Sequence, residues 1–303
     1  VSLRATWEEP GMEMRKMWRV VLAVCGTFVL LGAQFVAAGP AGAVWGLVHV
    51  WSESAYDSTA TKSRTTLCPA GKRVIGAGAR VDPGNPMVSL VHVEPLYDGR
   101  GVTAIAHEDS VGYSANWLLT AYAICASPLA GYEVNWGLGA SGTSPKVTGV
   151  VACSPGKRLL GFGGGVQAAP GAVVLTGVGP APGVPDAVEV VGEETEGGYA
   201  PTWLVNAWAV CANPVPRLAT VSESLPASSA TWATDQVNCP AGTRMHGLGA
   251  KIHNGFGQVG LSWLQPGAGP RDPALLQATT LAFEDRTGLA TDWTLETHLV
   301  CAS

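Results

Sequence analysis

Acidic pairs recur three times along the chain, at Glu108-Asp109, Glu193-Glu194 and Glu284-Asp285. Paired carboxylates can hold a cation or divide general-acid and general-base work between them, so a hydrolase drawing on Glu108, Glu193 and Glu284 is one expectation. Upstream of each pair stands an arginine at a matched position, Arg73, Arg158 and Arg244. A catalytic group in a repeated sequence is usually kept in one copy while the others drift. Here all three copies keep both charges, which favours a structural role. The expectation is that Glu108, Glu193 and Glu284 pair with Arg73, Arg158 and Arg244, or sit in turns before Gly112, Gly197 and Gly288. His107 extends the first pair to His107-Glu108-Asp109, but Gly192 and Phe283 stand at the positions taken to match it, so this cluster reads as a solvated loop.

Other catalytic and ligand-binding signatures are missing from the sequence. The histidines (49, 92, 107, 246, 253 and 298) are scattered, with no H-E-x-x-H and no G-x-S-x-G. Residues 137–142 match G-x-G-x-x-G, but no helix pattern follows and Pro145 comes three residues later, so no phosphate cradle is expected. Neither a metal nor a cofactor is expected. A net charge of −5 argues against a nucleic-acid partner, which needs a basic footprint to displace counterions. Aromatic residues give the best binding signal. Tyr122, Trp208 and His298 occupy matched positions, and two residues before them lie Thr120, Asn206 and Glu296. A ring beside a hydrogen-bonding side chain suits sugar recognition. Trp51 and Trp136 also match one another, with Ser222 at the third position. If these rings face inward instead, they fill sheet packing.

The elements that carry these residues come from a repeat. Cys68, Cys153 and Cys239 open the strings CPAGKRVIGAGARV, CSPGKRLLGFGGGV and CPAGTRMHGLGAKI. Relative to each cysteine, glycine falls at +3, +8 and +10, arginine at +5 and proline at +27 (Pro95, Pro180, Pro266). Trp117, Trp203 and Trp293 follow the acidic pairs, and a second cysteine follows each Trp by eight residues: Cys125, Cys211 and Cys301. Periodicity is two. Trp117, Leu119, Ala121, Ala123 and Cys125 share one face, as do their counterparts. Further strands are expected near 48–52, after the first cysteine to Val81, at 88–93 and at 102–107, giving four or five per unit and no helix. The repetition favours disulfides within units, Cys68–Cys125, Cys153–Cys211 and Cys239–Cys301.

Boundaries at 44–127, 128–213 and 214–303 follow from the Pro-bearing joints after the second cysteines. The chain stops two residues past Cys301, so a separate catalytic domain is not expected. Residues 1–43 read as an N-terminal extension and secretory signal. Arg15, Lys16 and Arg19 precede an apolar run from Val20 to Leu31, a stretch of small residues then ends in Ala41-Gly42-Ala43, an A-x-A cleavage pattern, and Met12 or Met14 is a better initiator than Val1. The apolar run is about 12 residues, short of the ~20 that span a bilayer, so no transmembrane anchor is expected. Val24 before Cys25 is too large for a lipidation site. An exported chain with six remaining cysteines suits disulfides.

Three glycine-rich β repeats, two led by Cys-Pro-x-Gly and one by Cys-Ser-Pro-Gly, resemble those of secreted repeat proteins of actinobacteria. They are more distantly similar to the vitelline membrane outer layer family, whose three repeats form a β-prism. The resemblance covers most of the chain after residue 43 and implies a threefold β architecture, but it transfers no functional residue. The expected fold is therefore all-β, with three tandem repeats in a pseudo-threefold, prism-like arrangement; three small sandwiches in tandem are the alternative. The expected function is a secreted, non-enzymatic protein that binds a glycan or cell-wall polymer at repeated places. A structural coat protein and a carboxylate-based hydrolase are the other two readings.

Overall fold

The computed structural model describes residues 44–139, 141–168 and 170–303; the secretory signal read at 1–43 lies outside them. Each repeat supplies six strands. The first holds β1 (Val48–Glu53), β2 (Thr61–Leu67), β3 (Arg73–Asp82), β4 (Val88–Pro95), β5 (Gly101–Glu108) and β6 (Leu118–Ala126). The second holds β7 (Glu133–Leu138), β8 (Lys146–Ala152), β9 (Arg158–Gln167), β10 (Val173–Pro180), β11 (Ala187–Glu194) and β12 (Leu204–Ala212). The third holds β13 (Ala219–Ser224), β14 (Trp232–Asn238), β15 (Arg244–His253), β16 (Val259–Pro266), β17 (Gln277–Glu284) and β18 (Thr294–Ala302). No helix occurs among the described residues. The strand beyond the expected five is β2, with its counterparts β8 and β14. Its inward residues in the first repeat are Lys62 and Thr66, so it lacks the apolar alternation that marks the others. Burial of Lys62 is tolerated because Asp57 pairs with its ammonium, which also lies 4.8 Å from the centre of the Trp117 ring.

The all-β, prism-like class holds, and the tandem-sandwich alternative does not. Three six-stranded antiparallel sheets enclose one core, and every sheet is shared between two repeats. The orders are β1-β6-β3-β16-β17-β14, β2-β5-β4-β9-β12-β7 and β13-β18-β15-β10-β11-β8, called here the first, second and third sheets. A repeat is therefore neither a sandwich nor one side of the prism. It is a corner, with β1, β3 and β6 in one sheet and β2, β4 and β5 in the next. The halves join through short ladders: Leu264 with Ala79, Val93 with Gly164, and Val178 with Ala250. A single buried cluster runs through all three repeats, with Trp117, Trp203 and Trp293 among its largest side chains.

Two of the recurrent glycine offsets are explained where backbones meet. At +8, Gly76, Gly161 and Gly247 sit on β3, β9 and β15, one strand from each sheet. A side chain on Gly76 would overlap the carbonyl oxygen of His246, and one on Gly161 that of Ile75. A Cβ on Gly247 would stand 2.7 Å from both the Leu160 oxygen and the Gly161 Cα. The contacts run cyclically through the three repeats and so define the pseudo-threefold axis. Each ladder slips by one residue here, leaving Ile75, Leu160 and His246 as bulged positions. At +10, Gly78 and Gly163 lie beneath Pro266 and Pro95 of a neighbouring repeat, which accounts for the proline at +27.

The three intra-repeat disulfides form as expected, Cys68–Cys125, Cys153–Cys211 and Cys239–Cys301. Each ties the end of β2, β8 or β14 to β6, β12 or β18, and so staples together the two sheets between which its repeat is divided. Each crosslink closes a loop near 60 residues and contributes about 4 kcal/mol in the chain-entropy account.

The axial contact makes a direct prediction. Gly161→Ala is expected to cost more than about 3 kcal/mol or to abolish folding, because backbone rather than a mobile side chain occupies the space. Gly197→Ala, where an added Cβ meets nothing within 4 Å, is expected to shift stability by less than about 0.5 kcal/mol. Thermal unfolding of the two variants tests this; equal stabilities would refute the axial role.

Candidate ligand-binding surfaces

The recurrent carboxylates bind tryptophan, not arginine. Glu108 accepts the Trp117 indole N–H at 2.9 Å through Oε1 and the Tyr113 backbone N–H at 2.8 Å through Oε2. Glu284 does the same for Trp293 at 3.0 Å and for the Leu289 N–H at 3.3 Å. In the second repeat the equivalent residue is Glu194, not Glu193: it accepts from Trp203 at 3.0 Å and from the Tyr199 N–H at 3.2 Å. The tryptophan is thus nine residues after the glutamate in every copy. The glycine of this turn is Gly198, in line with Gly112 and Gly288, and all three have positive φ. Glu193 instead meets Lys146 at 2.8 Å and the Gly257 N–H at 2.9 Å, tying the second repeat to the third.

The expected arginine partners lie elsewhere. Arg158 pairs with Asp186 at 2.9 Å, Arg73 donates to the Lys72 carbonyl at 3.1 Å, and Arg244 has no ion pair among the described residues. His107-Glu108-Asp109 is not a free loop. Thr61 Oγ1 bonds the His107 ring at 2.8 Å, Glu108 is buried, and Asp109 holds Arg286 of the third repeat at 2.8 and 3.1 Å. These residues line a depression of about 200 Å³ at one end of the axis. Its carboxylates are engaged by indole, amide and guanidinium donors. No cluster of metal-ligating side chains occurs among the described residues.

Tyr122, Trp208 and His298 do hold equivalent places on the outer faces of the sheets. Each stands between a glycine on one flank and Trp51, Trp136 or Ser222 on the other. Their surroundings differ. Tyr122 is 0% exposed and Thr120 is buried beside it. The connection at 267–276, longer than its counterparts at 96–100 and 181–186, is anchored over this face. The Asp272 carbonyl meets His49 Nδ1 at 3.0 Å, His49 packs on Tyr122, and Arg271 reaches Glu53 at 3.0 Å. Burial pushes the Tyr122 phenol pKa up. His298 is 5% exposed; Ser222 Oγ bonds its Nδ1 at 2.8 Å, while Glu296 bonds His253 at 2.8 Å. Burial holds the His298 pKa down at about 4. Only the second-repeat position stays partly open. Trp208 stacks on Trp136, with centroids 5.9 Å apart, beside Asn206, whose Oδ1 has no partner and whose amide donates to Glu94 at 3.4 Å.

A concave aromatic site lies where the sequence gave no repeated signal. On the outer face of the first sheet, Trp232 and Trp263 flank Leu281 and Phe283 around a cleft of about 280 Å³, lined also by Gly84 and Thr234. Trp232 is 51% exposed. The Trp263 indole donates to the Val81 carbonyl at 2.8 Å, and the Arg80 guanidinium lies 4.0 Å over its ring. Arg80 in turn holds Asp82 and Gln265, so a polar rim adjoins the apolar floor. Trp263 stands at +24 from its cysteine, where the other repeats have His92 and Gly177. That departure from the repeat was the available signal.

The third repeat also departs at His246, which replaces Ile75 and Leu160 at the bulge. It is 1% exposed with Nδ1 unpartnered, and burial lowers its pKa to about 4. No protein-family model matches the chain, and no curated protein matches it.

Two outcomes are expected. Glu108→Ala should destabilise by roughly 2 kcal/mol, because it leaves the buried Trp117 indole N–H unpaired; an unchanged Tm would reject the latch. His246 is neutral when folded and takes up a proton below pH 6.5 when unfolded. Its contribution to stability therefore falls as pH drops from 6.5 to 4, by roughly 3 kcal/mol. His246→Leu should flatten denaturant-measured stability over that range, and an unaltered pH slope would contradict this.

Proposed function

We propose that the protein is an exported, non-enzymatic binding protein that recognises a glycan or cell-wall polymer. The observation that carries this reading is the cleft of Trp232, Trp263 and Phe283 on the outer face of the first sheet. Exposed indole faces suit the apolar face of a pyranose ring, and hydrogen-bonding groups at the rim suit its hydroxyls. Thr234 lines the cleft, and Arg80, over the Trp263 ring, adjoins it with its partner Asp82; these are placed to supply them. Three disulfides agree with an oxidising compartment, and no helix among the described residues is long and apolar enough to cross a membrane.

The reading changes in one respect. Tyr122 and His298 are sealed, so three equivalent sites acting by avidity lose their support, and recognition rests on a single cleft. The burial of those two rings favours a second reading, a rigid coat protein whose faces pack against other macromolecules.

A glycan array probed with the protein separates the two. The binding reading expects one or a few saccharides to be retained, with Trp232→Ala and Trp263→Ala each weakening retention at least tenfold. Trp232 is half exposed, so its variant should keep the parent Tm within a few degrees. Absence of any retained saccharide would sink the glycan reading and leave the coat reading standing.

A further inference from the structure

The seam where the first repeat meets the third differs from the seam where the second meets the first. At each seam the entering chain turns through a residue of positive φ, Gly46, Gly131 or Arg217. Between the second and first repeats, Tyr132 follows that turn, packs its ring against Gly99 and donates its hydroxyl to the Val74 carbonyl at 2.8 Å. The residue equivalent to Tyr132 in the first repeat is Leu47. It lines a cavity of about 540 Å³, together with Val44, Trp45, Arg244, His246 and Leu276. Trp45 is 74% exposed at this site and Leu276 is 52% exposed.

Two of the polar side chains here have no ion pair or hydrogen-bond partner within the described residues, His246 buried at the inner end and Arg244 exposed at the mouth. The His246 Nδ1 is buried without a partner, at a position that is aliphatic in the other repeats. Arg244 is the third of the recurrent arginines. Its counterpart Arg158 is paired with Asp186, whose backbone carbonyl accepts from the first half-cystine of that repeat, Cys153. In the third repeat the carbonyl that accepts from Cys239 belongs to Leu276. The third repeat therefore has an apolar side chain where the second has the carboxylate that satisfies its arginine.

We propose that this cavity binds a small apolar monocarboxylate. The ligand's carboxylate takes the place at Arg244 that Asp186 takes at Arg158, its hydrocarbon body lies against Leu276, Leu47 and Trp45, and His246 is the inner polar group that it satisfies. A guanidinium and a carboxylate form a charge-assisted, geometrically specific pair, and the volume is that of an ordinary small-molecule site. The site is separate from the aromatic cleft and does not depend on the glycan reading.

Decanoate, kept below its micellar concentration, is the probe, followed by calorimetry and by Trp45 fluorescence. Saturable one-to-one binding is expected, and decanol is expected to bind at least tenfold more weakly. Arg244→Ala should weaken decanoate binding at least tenfold. Leu276→Asp should do the same by supplying an internal carboxylate, and because Leu276 is half exposed the variant should keep the parent Tm within a few degrees. His246→Leu should weaken binding and raise the Tm. Absence of saturable decanoate binding, or binding unaltered in both Arg244→Ala and Leu276→Asp, would overturn the proposal.

Discussion

The architecture depends on three backbones touching at the axis. Gly76, Gly161 and Gly247 let β3, β9 and β15 approach until the carbonyl of one strand occupies the space where the next would carry a side chain. With backbones this close, no side-chain layer separates the sheets at that level. Each strand must bulge to redirect its neighbours, and Ile75, Leu160 and His246 mark that bulge. The rest follows from the same constraint. A repeat bent around such a corner cannot complete either of its sheets, so it borrows three strands on each side, and no repeat has a core of its own. The disulfides lie where this division is hardest to hold, between the two half-sheets of one repeat.

This economy assigns most of the repeated residues to structure. The glutamate nine residues before each core tryptophan has both carboxylate oxygens engaged, one by the indole and one by a backbone amide. A buried indole N–H demands a partner, and an ionised acceptor is the strongest available. Because the tryptophan recurs, so must the glutamate, and its recurrence reflects folding rather than catalysis. Ligand recognition is then sought where the copies differ. Trp263 replaces a histidine and a glycine, Leu276 replaces an aspartate, and the 267–276 connection is longer than its equivalents. All three differences fall in the third repeat.

The sequence made the periodic features legible and hid those set by neighbours. Fixed offsets between cysteines, glycines and tryptophans predicted the repeat, its disulfides and a threefold β architecture. They did not reveal that a repeat is a corner, because a strand's periodicity records which face is buried and not which strand lies beside it. Strand β2 escaped detection because Lys62 and Thr66 point inward, and only the approach of Asp57 and Trp117 makes that tolerable. The choice between Glu193 and Glu194 was a matter of one residue. A constant spacing of nine to the tryptophan would have selected Glu194, whereas accepting nine or ten left Glu193 in place. Tyr122 and Trp208 are equivalent in sequence, and their different exposure comes from a loop of another repeat that covers only one of them.

Pseudo-symmetry also explains why one open site is a more natural outcome than three. Equivalent outer positions share a backbone, but every outer face is built from two different repeats, so beyond the two flanking strands of its own repeat a side chain's surroundings belong to another. A ring at Tyr122 faces the third repeat, whereas a ring at Trp208 faces the first. Conserving a site three times would require matched changes in all three repeats together, whereas altering a single partner strand closes one site and leaves the others intact. The same logic applies at the seams. Arg158 keeps its aspartate and Arg244 faces a leucine, although the two arginines occupy one position of the repeat. The buried, unpartnered imidazole of His246 carries a cost that the second repeat avoids with Leu160. A cost of that kind, at one position of one repeat, is what a partner from outside the chain would remove.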